Sequence, residues 1–519
     1  MAEQAADVLA TSNIRTLGAL RRSGYTPSSV KDEMRRNLIA TLRTGDDIFE
    51  GIIGYDRTVI PQIENAILAR HDLILLGLRG QAKSRIIRKL TALLDEYIPI
   101  VAGSELNDSP FHPISKHARE LVEEHGDETP IEWVHRSERY AEKLATPDTT
   151  IADLIGDIDP IKAASRRLTY ADEEVIHFGI IPRTNRGIFA INELPDLQPR
   201  IQVGLLNIME EQDIQIRGFN IRFPLDVLMV FSANPEDYTN RGNIITPLKD
   251  RIDSQIITHY PRTLEIGMEI TRQEAWEDRS DGASAEVEVY VPHFFREIVE
   301  QVAFEARSSE YIDQKSGVSA RMTRAALEDL ISAAERRALL NDESETTVRI
   351  SDLVYIEPAV TGKVELVYEG EQEGAQNVAR LLIGRAVNAV FKKYFPDPTD
   401  KKEGRSPFQP VLAWFARGNT VELDPGVSFS EYVRALDQVE GLRDVVKARA
   451  RPGTPAETAS TMGFVLEALH QNSMIGKEMF EEAVTYNDMM GSMFSSLGSI
   501  SEDDDDVDDE DDDFYSRYG

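Results

Sequence analysis

The feature that most constrains this chain is the segment His71–Ser84, with the sequence HDLILLGLRGQAKS. Its apolar run Leu73–Leu76 is too short for an independent helix and indicates a buried strand. A glycine-rich turn follows and ends at Lys83 and Ser84, just before the periodic stretch Ile86–Leu94. The segment therefore predicts a strand, a phosphate-binding loop and a helix in succession.

The residue types in this loop suit the binding of a phosphate. Gly77 and Gly80 let successive backbone N–H groups face inward, and the start of the following helix adds the positive end of its dipole. Lys83 can reach the β- and γ-phosphates of a nucleotide, and Ser84 can ligate Mg²⁺. The spacing matches G-x-x-x-x-G-K-S/T, except that Ala82 replaces the second glycine. Because a glycine-rich turn before a helix is also ordinary loop punctuation, the rest of the chain decides between the two interpretations.

Composition narrows the class of protein. The 519 residues leave room for roughly three or four folding units, and 41% apolar with 28% charged residues is typical of a soluble globular protein. An apolar run of about eighteen residues and a basic-then-apolar start are both missing, so neither a membrane span nor a secretory signal is predicted. The chain has no cysteine, which excludes disulfides and thiolate metal sites and is compatible with the cytoplasm, where we expect the protein.

The charge of the chain argues against one class of function, general nucleic-acid binding. A net charge of -33 argues against a general nucleic-acid binder, because phosphate contacts need clustered Lys and Arg. Part of this charge is local, since eleven of the twelve residues in Glu502–Asp513 are acidic. Such a block repels itself and is expected to be disordered, either as a solubilising tail or as a docking peptide.

A second apolar run, Gly187–Glu193, ends in polar side chains. In phosphate-loop NTPases, a strand end of this kind carries a Mg²⁺-associated acid and a glutamate that polarises the attacking water. Here Asn192 stands in the first position. Its carbonyl oxygen can hold a magnesium-bound water but brings no charge, which predicts weaker Mg²⁺ binding or slower turnover. Glu193 keeps the water-activating role available, and the alternative is an exposed strand-end carboxylate.

A third apolar run, Asp226–Asn234, ends in an amide that could reach the γ-phosphate and the lytic water, or could simply cap the strand. Between the second and third runs, Gln202–Glu211 predicts a helix and Asp213–Phe223 predicts a hairpin. The polar stretch Ile98–Thr150 predicts a long insertion without a core element. Val30–Leu42 is weakly amphipathic and is interpreted as part of an N-terminal extension that packs on a neighbour.

Taken together, these strand ends resemble AAA+ ATPases, and residues Ala152–Asp253 resemble the AAA+ subunit of magnesium chelatase and its MoxR-type relatives. The segments that carry this resemblance are RGQAKS (Arg79–Ser84), LIGDIDPIKAA (Leu154–Ala164), NRGIFAINELPDL (Asn185–Leu197), VGLLNIMEEQDIQIRGFNIRFP (Val203–Pro224), SANPED (Ser232–Asp237) and PLKDRID (Pro247–Asp253). An alanine before the lysine is itself usual in MoxR-type loops. Ile53-Gly54-Tyr55 resembles the adenine-side box that precedes this loop.

The resemblance implies a ring of subunits, usually a hexamer, with ATP and Mg²⁺ between neighbours. It implies nucleotide binding by the loop residues Gly77, Gly80, Gln81, Ala82, Lys83 and Ser84, with Ser84 and Asn192 on the metal side. Glu193 would be the catalytic glutamate and Asn234 the first sensor. Arg251 would be the finger that reaches a neighbour's γ-phosphate, and the alternative for it is a surface salt bridge. Arg324, with Arg321 as runner-up, would be the second sensor, within GVSARMTRAALEDL (Gly317–Leu330) of a helical lid.

The predicted fold class is an α/β AAA+ P-loop core, a parallel sheet flanked by helices with a helix-hairpin insert, followed by a helical lid and a helical C-terminal region. The predicted domains are residues 1–44 (N-terminal extension), 45–265 (nucleotide-binding domain, insertion about 98–150), 285–361 (lid), 362–500 (helical C-terminal region) and 501–519 (tail). Within the C-terminal region, Asn377–Phe395 has a clear buried helix face. The methionines of Ser473–Phe494 predict either gap-filling core or an adaptable partner surface.

Three functions remain open at this point. The first is a Mg²⁺-dependent ATPase that remodels a protein client, with a partner carrying a von Willebrand A-type metal-binding adhesion domain, as the resemblance implies. The second is a nucleotide-binding scaffold with little hydrolysis, for which Asn192 is the main support. The third is a chelatase motor that acts on a tetrapyrrole. Glu193, Asn234 and Arg251 favour the first, because a scaffold has no need of a water-activating acid.

Overall fold

The structure is a computed structural model that describes residues 13–162, 173–216, 222–235, 243–279, 287–399, 406–480 and 483–489. The chain forms two compact units, Met1–Arg262 and Thr263–Gly519. The predicted acidic tail, the hairpin tip Gly218–Asn220 and the last two residues of SANPED lie outside the described residues.

Short strands run through the first unit. In chain order they are β1 (Leu73–Leu76), β2 (Tyr97–Val101), β3 (Ile131–His135), β4 (Tyr140–Leu144), β5 (Gly156–Ile158), β6 (Ile176–Phe178), β7 (Gly187–Asn192), β8 (Asp213–Gln215), β9 (Arg222–Pro224), β10 (Val227–Ala233) and β11 (Ser254–Ile257). Five of them form one parallel sheet in the order β11-β1-β10-β7-β4. The others form three antiparallel pairs, β2-β3, β5-β6 and β8-β9.

Helices flank this sheet. They are α1 (Leu17–Arg22), α2 (Val30–Thr44), α3 (Val59–Leu68), α4 (Lys83–Lys89), α5 (Lys116–His125), α6 (Ile151–Leu154), α7 (Ile180–Arg183), α8 (Pro199–Glu211) and α9 (Thr246–Arg251). Short 3₁₀ helices lie at Leu90–Leu93, Gly126–Glu128, Arg136–Arg139, Glu173–Val175 and Leu194–Asp196.

The parallel sheet is buried on both faces. Side chains alternate along each strand, so Phe189 and Phe231 enter one apolar cluster, whereas Ile188 and Val230 enter the cluster on the opposite face. Residues of β7 and β10 are buried along their whole length. This double burial explains why both strands are continuous apolar runs in the sequence.

Charged residues directly precede all five strands of the sheet at its amino edge: Asp72, Arg139, Arg186, Asp226 and Asp253. Helix α2 packs over this edge. Its first N–H, at Val30, donates to both carboxylate oxygens of Asp226 at 3.1 and 2.9 Å. Lys31 pairs with Asp72 at 2.9 Å, and Glu33 forms two bonds with Arg139 at 2.7 and 2.8 Å. The predicted N-terminal extension therefore contributes a helix to the core of its own unit.

The second unit is mainly helical. Its helices are α10 (Leu264–Glu274), α11 (His293–Ser308), α12 (Arg321–Leu340), α13 (Glu357–Thr361), α14 (Tyr368–Glu373), α15 (Ala375–Tyr394), α16 (Gln409–Phe415), α17 (Phe429–Asp437), α18 (Leu442–Arg449) and α19 (Pro455–Gln471), with a 3₁₀ helix at Ile350–Ile356. Stacked aromatic rings mark its core, and the rings of Phe294 and Phe464 lie 4.6 Å apart at 8°. The helix predicted at Asn377–Phe395 corresponds to α15.

Strands also occur in the second unit. They are β12 (Glu288–Tyr290), β13 (Glu345–Thr347), β14 (Val421–Leu423), β15 (Gly476–Phe480) and β16 (Ala483–Asn487). β12 pairs with β13, and β14, β16 and β15 form an antiparallel sheet in that order. In the helices of the described ranges, no segment is both long and apolar enough to cross a membrane.

The predicted architecture, a parallel sheet flanked by helices with a mainly helical region after it, is confirmed. Two details differ from the expectation. The predicted insertion contains β4, which pairs with β7 from Tyr140 to Leu144 and so belongs to the main sheet. Within the predicted helical C-terminal region, Gly476–Phe480 and Ala483–Asn487 form an antiparallel strand pair, β15-β16. Both elements are stabilised by pairing with distant strands, which local periodicity does not report.

Candidate functional site

The loop between β1 and α4 has a tightly enclosed beginning. A Cβ atom added to Gly77 would lie 1.8 Å from Thr258 Oγ1 and 2.2 Å from Gln81 Oε1, so this position accepts only glycine. Gly80 and Ala82 have positive φ angles of 77° and 57°. The loop therefore curls back on itself before the helix begins at Lys83, as the sequence motif predicted.

Hydroxyl groups from other parts of the first unit hold the loop in this shape. Thr258 donates to the side-chain oxygen of Gln81 at 2.6 Å, and the Tyr260 hydroxyl donates to the carbonyl of Arg79 at 2.9 Å. The Tyr55 hydroxyl lies 3.2 Å from the carbonyl oxygen of Gln81, and burial raises its pKa to about 12. Thr258 thus holds the Gln81 side chain, and Tyr260 holds the loop backbone at Arg79.

Two of these supporting residues, Thr258 and Tyr260, were missed by reasoning from the sequence. They follow β11, which pairs in parallel with β1, so the end of β11 lies beside the start of the loop. The sequence feature that could have located them is the short run Ser254–Ile257, which directly follows the PLKDRID segment. That strand, Ser254–Ile257, contains only two apolar residues and was not recognised.

The predicted lysine lies over the loop. Lys83 is buried, and its ammonium group donates to the carbonyl oxygens of Gly77 and, at 3.1 Å, of Leu78. Ser84 follows it in the first turn of α4 and is half-buried. The pair therefore lies where the loop meets the helix, and its binding roles remain predictions.

The three predicted strand ends meet at one edge of the sheet. β10 lies between β1 and β7, with Leu76 opposite Ala233 and Ile191 opposite Phe231. Because all three strands run in the same direction, the residues that follow them lie at the same edge. The loop, the Asn192–Glu193 pair and Asn234 are thus brought together.

Asn192 is buried between two side chains that the sequence motif did not identify. Its amide NH₂ donates to Glu142 Oε1 at 2.9 Å, and its carbonyl oxygen accepts from Ser232 Oγ at 3.0 Å. Because a carboxylate only accepts hydrogen bonds, the contact with Glu142 fixes which end of the amide faces which neighbour.

Glu142, on β4, also forms a two-pronged ion pair with Arg88 of α4. The Arg88 Nε and Nη2 atoms lie 2.8 and 2.7 Å from the two carboxylate oxygens. The Tyr140 hydroxyl donates to the same carboxylate at 2.8 Å. The hydrogen bonds from Arg88 lower the pKa of Glu142, whereas burial raises the pKa of Tyr140. The carboxylate is therefore ionised at neutral pH.

Glu193 has an unusual backbone. Its φ and ψ angles of 55° and 51° lie in the left-handed region, which costs a non-glycine residue about 1 kcal/mol. Its N–H lies 3.4 Å from Ser232 Oγ, and the side chain is half-buried. The chain thus leaves β7 in a sharp turn that starts at the residue predicted to be catalytic.

Two of the predicted arginines, Arg251 and Arg324, form ion pairs within the chain. Arg251, at the end of α9, forms an ion pair with Glu210 of α8 and donates to the carbonyl of Pro247 at 2.9 Å. Arg324 and Arg321 lie in the first turn of α12 in the second unit, where Arg324 lies 3.3 Å from Glu328 and is half exposed. The second-sensor role of both residues remains a prediction.

Comparisons with known proteins give distant similarity only. No family model matches the chain. Archaeal Lon protease from Thermococcus kodakarensis is 27% identical over 171 residues, a match that covers 30% of this chain and only 25% of the Lon chain.

The similar solved structures include a closed-state reconstruction of Hsp104 with ATPγS and FITC casein (11% identity, TM-score 0.37), covering 65% of this chain and 52% of that chain. NtrX from Brucella abortus in complex with ATP is another (14% identity, TM-score 0.36), covering 66% and 64%. Because these identities and TM-scores are low, the function proposed below is based on the geometry of the site.

Proposed function

We propose that this chain is an ATPase of the AAA+ type that binds ATP with Mg²⁺ and hydrolyses it within a ring of like subunits. The observation that carries the proposal is the meeting of three strand ends at one sheet edge. A glycine-rich loop with Lys83 and Ser84, the Asn192–Glu193 pair and Asn234 lie on adjacent parallel strands. An ATPase needs these three groups together for phosphate binding, water activation and sensing of the γ-phosphate.

The loop fits a nucleotide triphosphate in shape and charge. The side chains of Thr258 and Gln81 pack closely against Gly77, and the positive φ angles at Gly80 and Ala82 curl the backbone as a phosphate-binding loop requires. Lys83 bonds to loop carbonyls in this structure, and phosphate oxygens would be stronger acceptors for the same ammonium. ATP would be bound through these backbone and ammonium contacts.

The residues near the loop also fit Mg²⁺, except that the neutral Asn192 stands where an acidic side chain is usual. Ser84 offers a hydroxyl oxygen, and Asn192 offers a neutral carbonyl oxygen that already accepts from Ser232. Ser84 and Asn192 would hold the cation, which would supply positive charge where negative charge develops on the phosphate. Asn192 would hold one of its waters, and the absence of charge on this side chain predicts weak binding through Asn192 alone.

The hydrolytic roles follow from position at the same edge. Glu193 is the acid that would accept a proton from, and orient, the attacking water. Asn234 would donate its amide hydrogen to the γ-phosphate or to that water. Arg251 would have to exchange Glu210 for a phosphate on a neighbouring subunit, which makes turnover depend on assembly.

The finer assignment is to the magnesium chelatase and MoxR-type branch, with a hexameric ring and a partner that carries a von Willebrand A-type domain. The helix and hairpin formed by α8, β8 and β9 support this assignment, because they occupy the position of the insert that the sequence resemblance indicated. In this proposal the ATPase remodels a protein client in the cytoplasm.

The test is steady-state ATP hydrolysis in Mg²⁺ across a range of protein concentrations. We expect turnover per chain to rise with concentration, Glu193→Gln to lower it at least about 100-fold, and Arg251→Ala to lower it about 1,000-fold. Matched controls are Glu124→Gln and Lys249→Ala, exposed substitutions that remove one charge of the same sign. The proposal that two subunits share each ATP site would be rejected by two results together. These are a rate per chain that does not depend on protein concentration, and equal rates for Arg251→Ala and Lys249→Ala.

The second candidate is a nucleotide-gated scaffold with little hydrolysis. The neutral Asn192 favours it, because a weakly held cation slows phosphoryl transfer while leaving phosphate contacts in place. If the parent chain binds ATP but hydrolyses it no faster than Glu193→Gln, the scaffold is the correct function.

A further inference from the structure

The contacts of Asn192 indicate where the acidic charge of this site is located. The amide NH₂ faces Glu142 at 2.9 Å, and the opposite end of the amide accepts from Ser232. An aspartate at position 192 would place a second carboxylate at hydrogen-bond distance from Glu142, and two carboxylates so close cannot both ionise without strong repulsion. Asparagine at 192 and glutamate at 142 are therefore a matched pair.

Glu142 reaches this position from the edge strand. In the register of β4 and β7, Leu144 lies opposite Asn192 and Glu142 opposite Ala190. Alternate residues of a strand share a face, so Glu142 and Asn192 lie on the same face of the sheet. The carboxylate extends along this face to the end of β7, beside the residue predicted to lie next to Mg²⁺.

The same carboxylate is held by a cation from the phosphate-loop helix. Arg88 lies four residues, or about one helical turn, after Ser84, so both side chains project from the same side of α4. Its side chain is 62% exposed, whereas that of Glu142 is 22% exposed. An exposed arginine is a replaceable partner, because a surface ion pair contributes at most about 1 kcal/mol.

We propose that Glu142 supplies the negative charge for the Mg²⁺ of the bound nucleotide in place of the acid that Asn192 lacks, and that Arg88 pairs with this carboxylate until the cation arrives. The inference rests on the proposed binding of ATP with Mg²⁺. Glu142 acts on the cation through Asn192 or an intervening water and is a positioning residue. Arg88 and Mg²⁺ compete for one carboxylate, so their substitutions have opposite effects on metal binding.

The experiment titrates the full chain with a fluorescent ATP analogue (mant-ATP), once in EDTA and once in Mg²⁺. The ratio of the two dissociation constants is the factor by which Mg²⁺ tightens binding, called the Mg²⁺ factor below. For Glu142→Gln we expect this factor to fall about 10- to 100-fold, as for other residues that orient metal ligands. For Arg88→Gln we expect it to rise. Glu138→Gln, an exposed acid in the turn before β4, is the matched control and leaves the factor unchanged.

A charge exchange tests the pairing directly. Asn192→Asp alone should not raise the factor, because Glu142 already occupies the anionic position. The double variant Glu142→Gln with Asn192→Asp should restore the factor to the parental value. A restored factor also demonstrates that the double variant is folded.

The inference is overturned if Glu142→Gln and Arg88→Gln both leave the Mg²⁺ factor within twofold of the parent while thermal stability falls, since the pair would then be only structural. It is also overturned if Asn192→Asp alone strengthens the Mg²⁺ effect. Failure of the proposed function has a different signature, because the parent chain would then bind no mant-ATP in either buffer.

Discussion

The two edges of the parallel sheet carry polar residues of similar kinds in opposite surroundings. At the amino edge, Asp72 and Arg139 are buried and pair with Lys31 and Glu33 of helix α2. The first N–H of the same helix, at Val30, donates to Asp226. At the carboxyl edge, Glu193 and Asn234 are half-buried. They follow β7 and β10, whose ends lie at the same edge as the glycine-rich loop after β1. A polar residue at a strand end is thus not a functional signal by itself. What distinguishes the two edges is whether another element of the fold covers them.

This comparison predicts that substitutions at the amino edge change stability and leave nucleotide binding by the folded molecules intact. Substitutions at the carboxyl edge should weaken nucleotide binding and leave stability nearly unchanged.

The largest effect is expected at the buried ion pair. In Arg139→Met, Glu33 keeps a buried charge without its partner, so the free energy of unfolding should fall by about 3–5 kcal/mol. Urea denaturation followed by circular dichroism measures this change, with the exposed substitution Arg43→Met as the control. Adding Glu33→Leu should recover part of the loss. A loss below about 1 kcal/mol would mean that the amino edge is not a stabilising element.

The next effect concerns the pH dependence of stability. Burial raises the pKa of Asp226 to about 6, from an ordinary value of 3.8. The folded state therefore keeps this proton over a range where the unfolded chain has released it. The contribution to stability is complete below pH 3.8 and is lost as the pH rises to about 6, by about 3 kcal/mol in all.

Asp226→Asn should remove this loss, because an amide can still accept from the Val30 N–H without taking a charge. The measurement is the difference in unfolding free energy between parent and variant from pH 3.5 to pH 7.5. Asp56→Asn, at an exposed carboxyl, serves as the control. A difference that does not change with pH would contradict the assignment.

At the carboxyl edge, Lys83→Ala should weaken nucleotide binding with little change in stability. Removing a charged donor to phosphate costs about 1.5–3 kcal/mol, or roughly 10- to 150-fold in affinity. Titration with mant-ATP measures the affinity, and Lys89→Ala, later on the same helix, is the control. An affinity equal to that of the control would separate this loop from nucleotide binding.

The smallest effect is expected at Arg251, the proposed arginine finger, which is paired with Glu210 near the surface. Arg251→Ala should change the unfolding free energy of the isolated chain by less than about 1 kcal/mol. A much larger loss would assign Arg251 to the packing of α9 on α8 rather than to a neighbouring subunit.

Most of the candidate site was predictable because its signals are local. Leu73–Leu76, the glycine turn and the Lys83–Ser84 pair are adjacent in sequence, and the two other strands are long apolar runs buried on both faces. β4 was missed because its residues Tyr140–Leu144 are only half-buried at the sheet edge and form no apolar run. The C-terminal hairpin was missed because β16 pairs with β14 as well as β15, across a long separation in the chain.

The sequence by itself determined the loop, the strand types and the identity of the residues that follow each strand, because these depend on neighbours within a few positions. Only the tertiary structure decided which polar groups face one another. Glu142 meets Asn192 across 50 positions and Glu33 meets Arg139 across 106. Side-chain pairing at such separations depends on strand order and register, which bring together residues whose local patterns carry no record of each other.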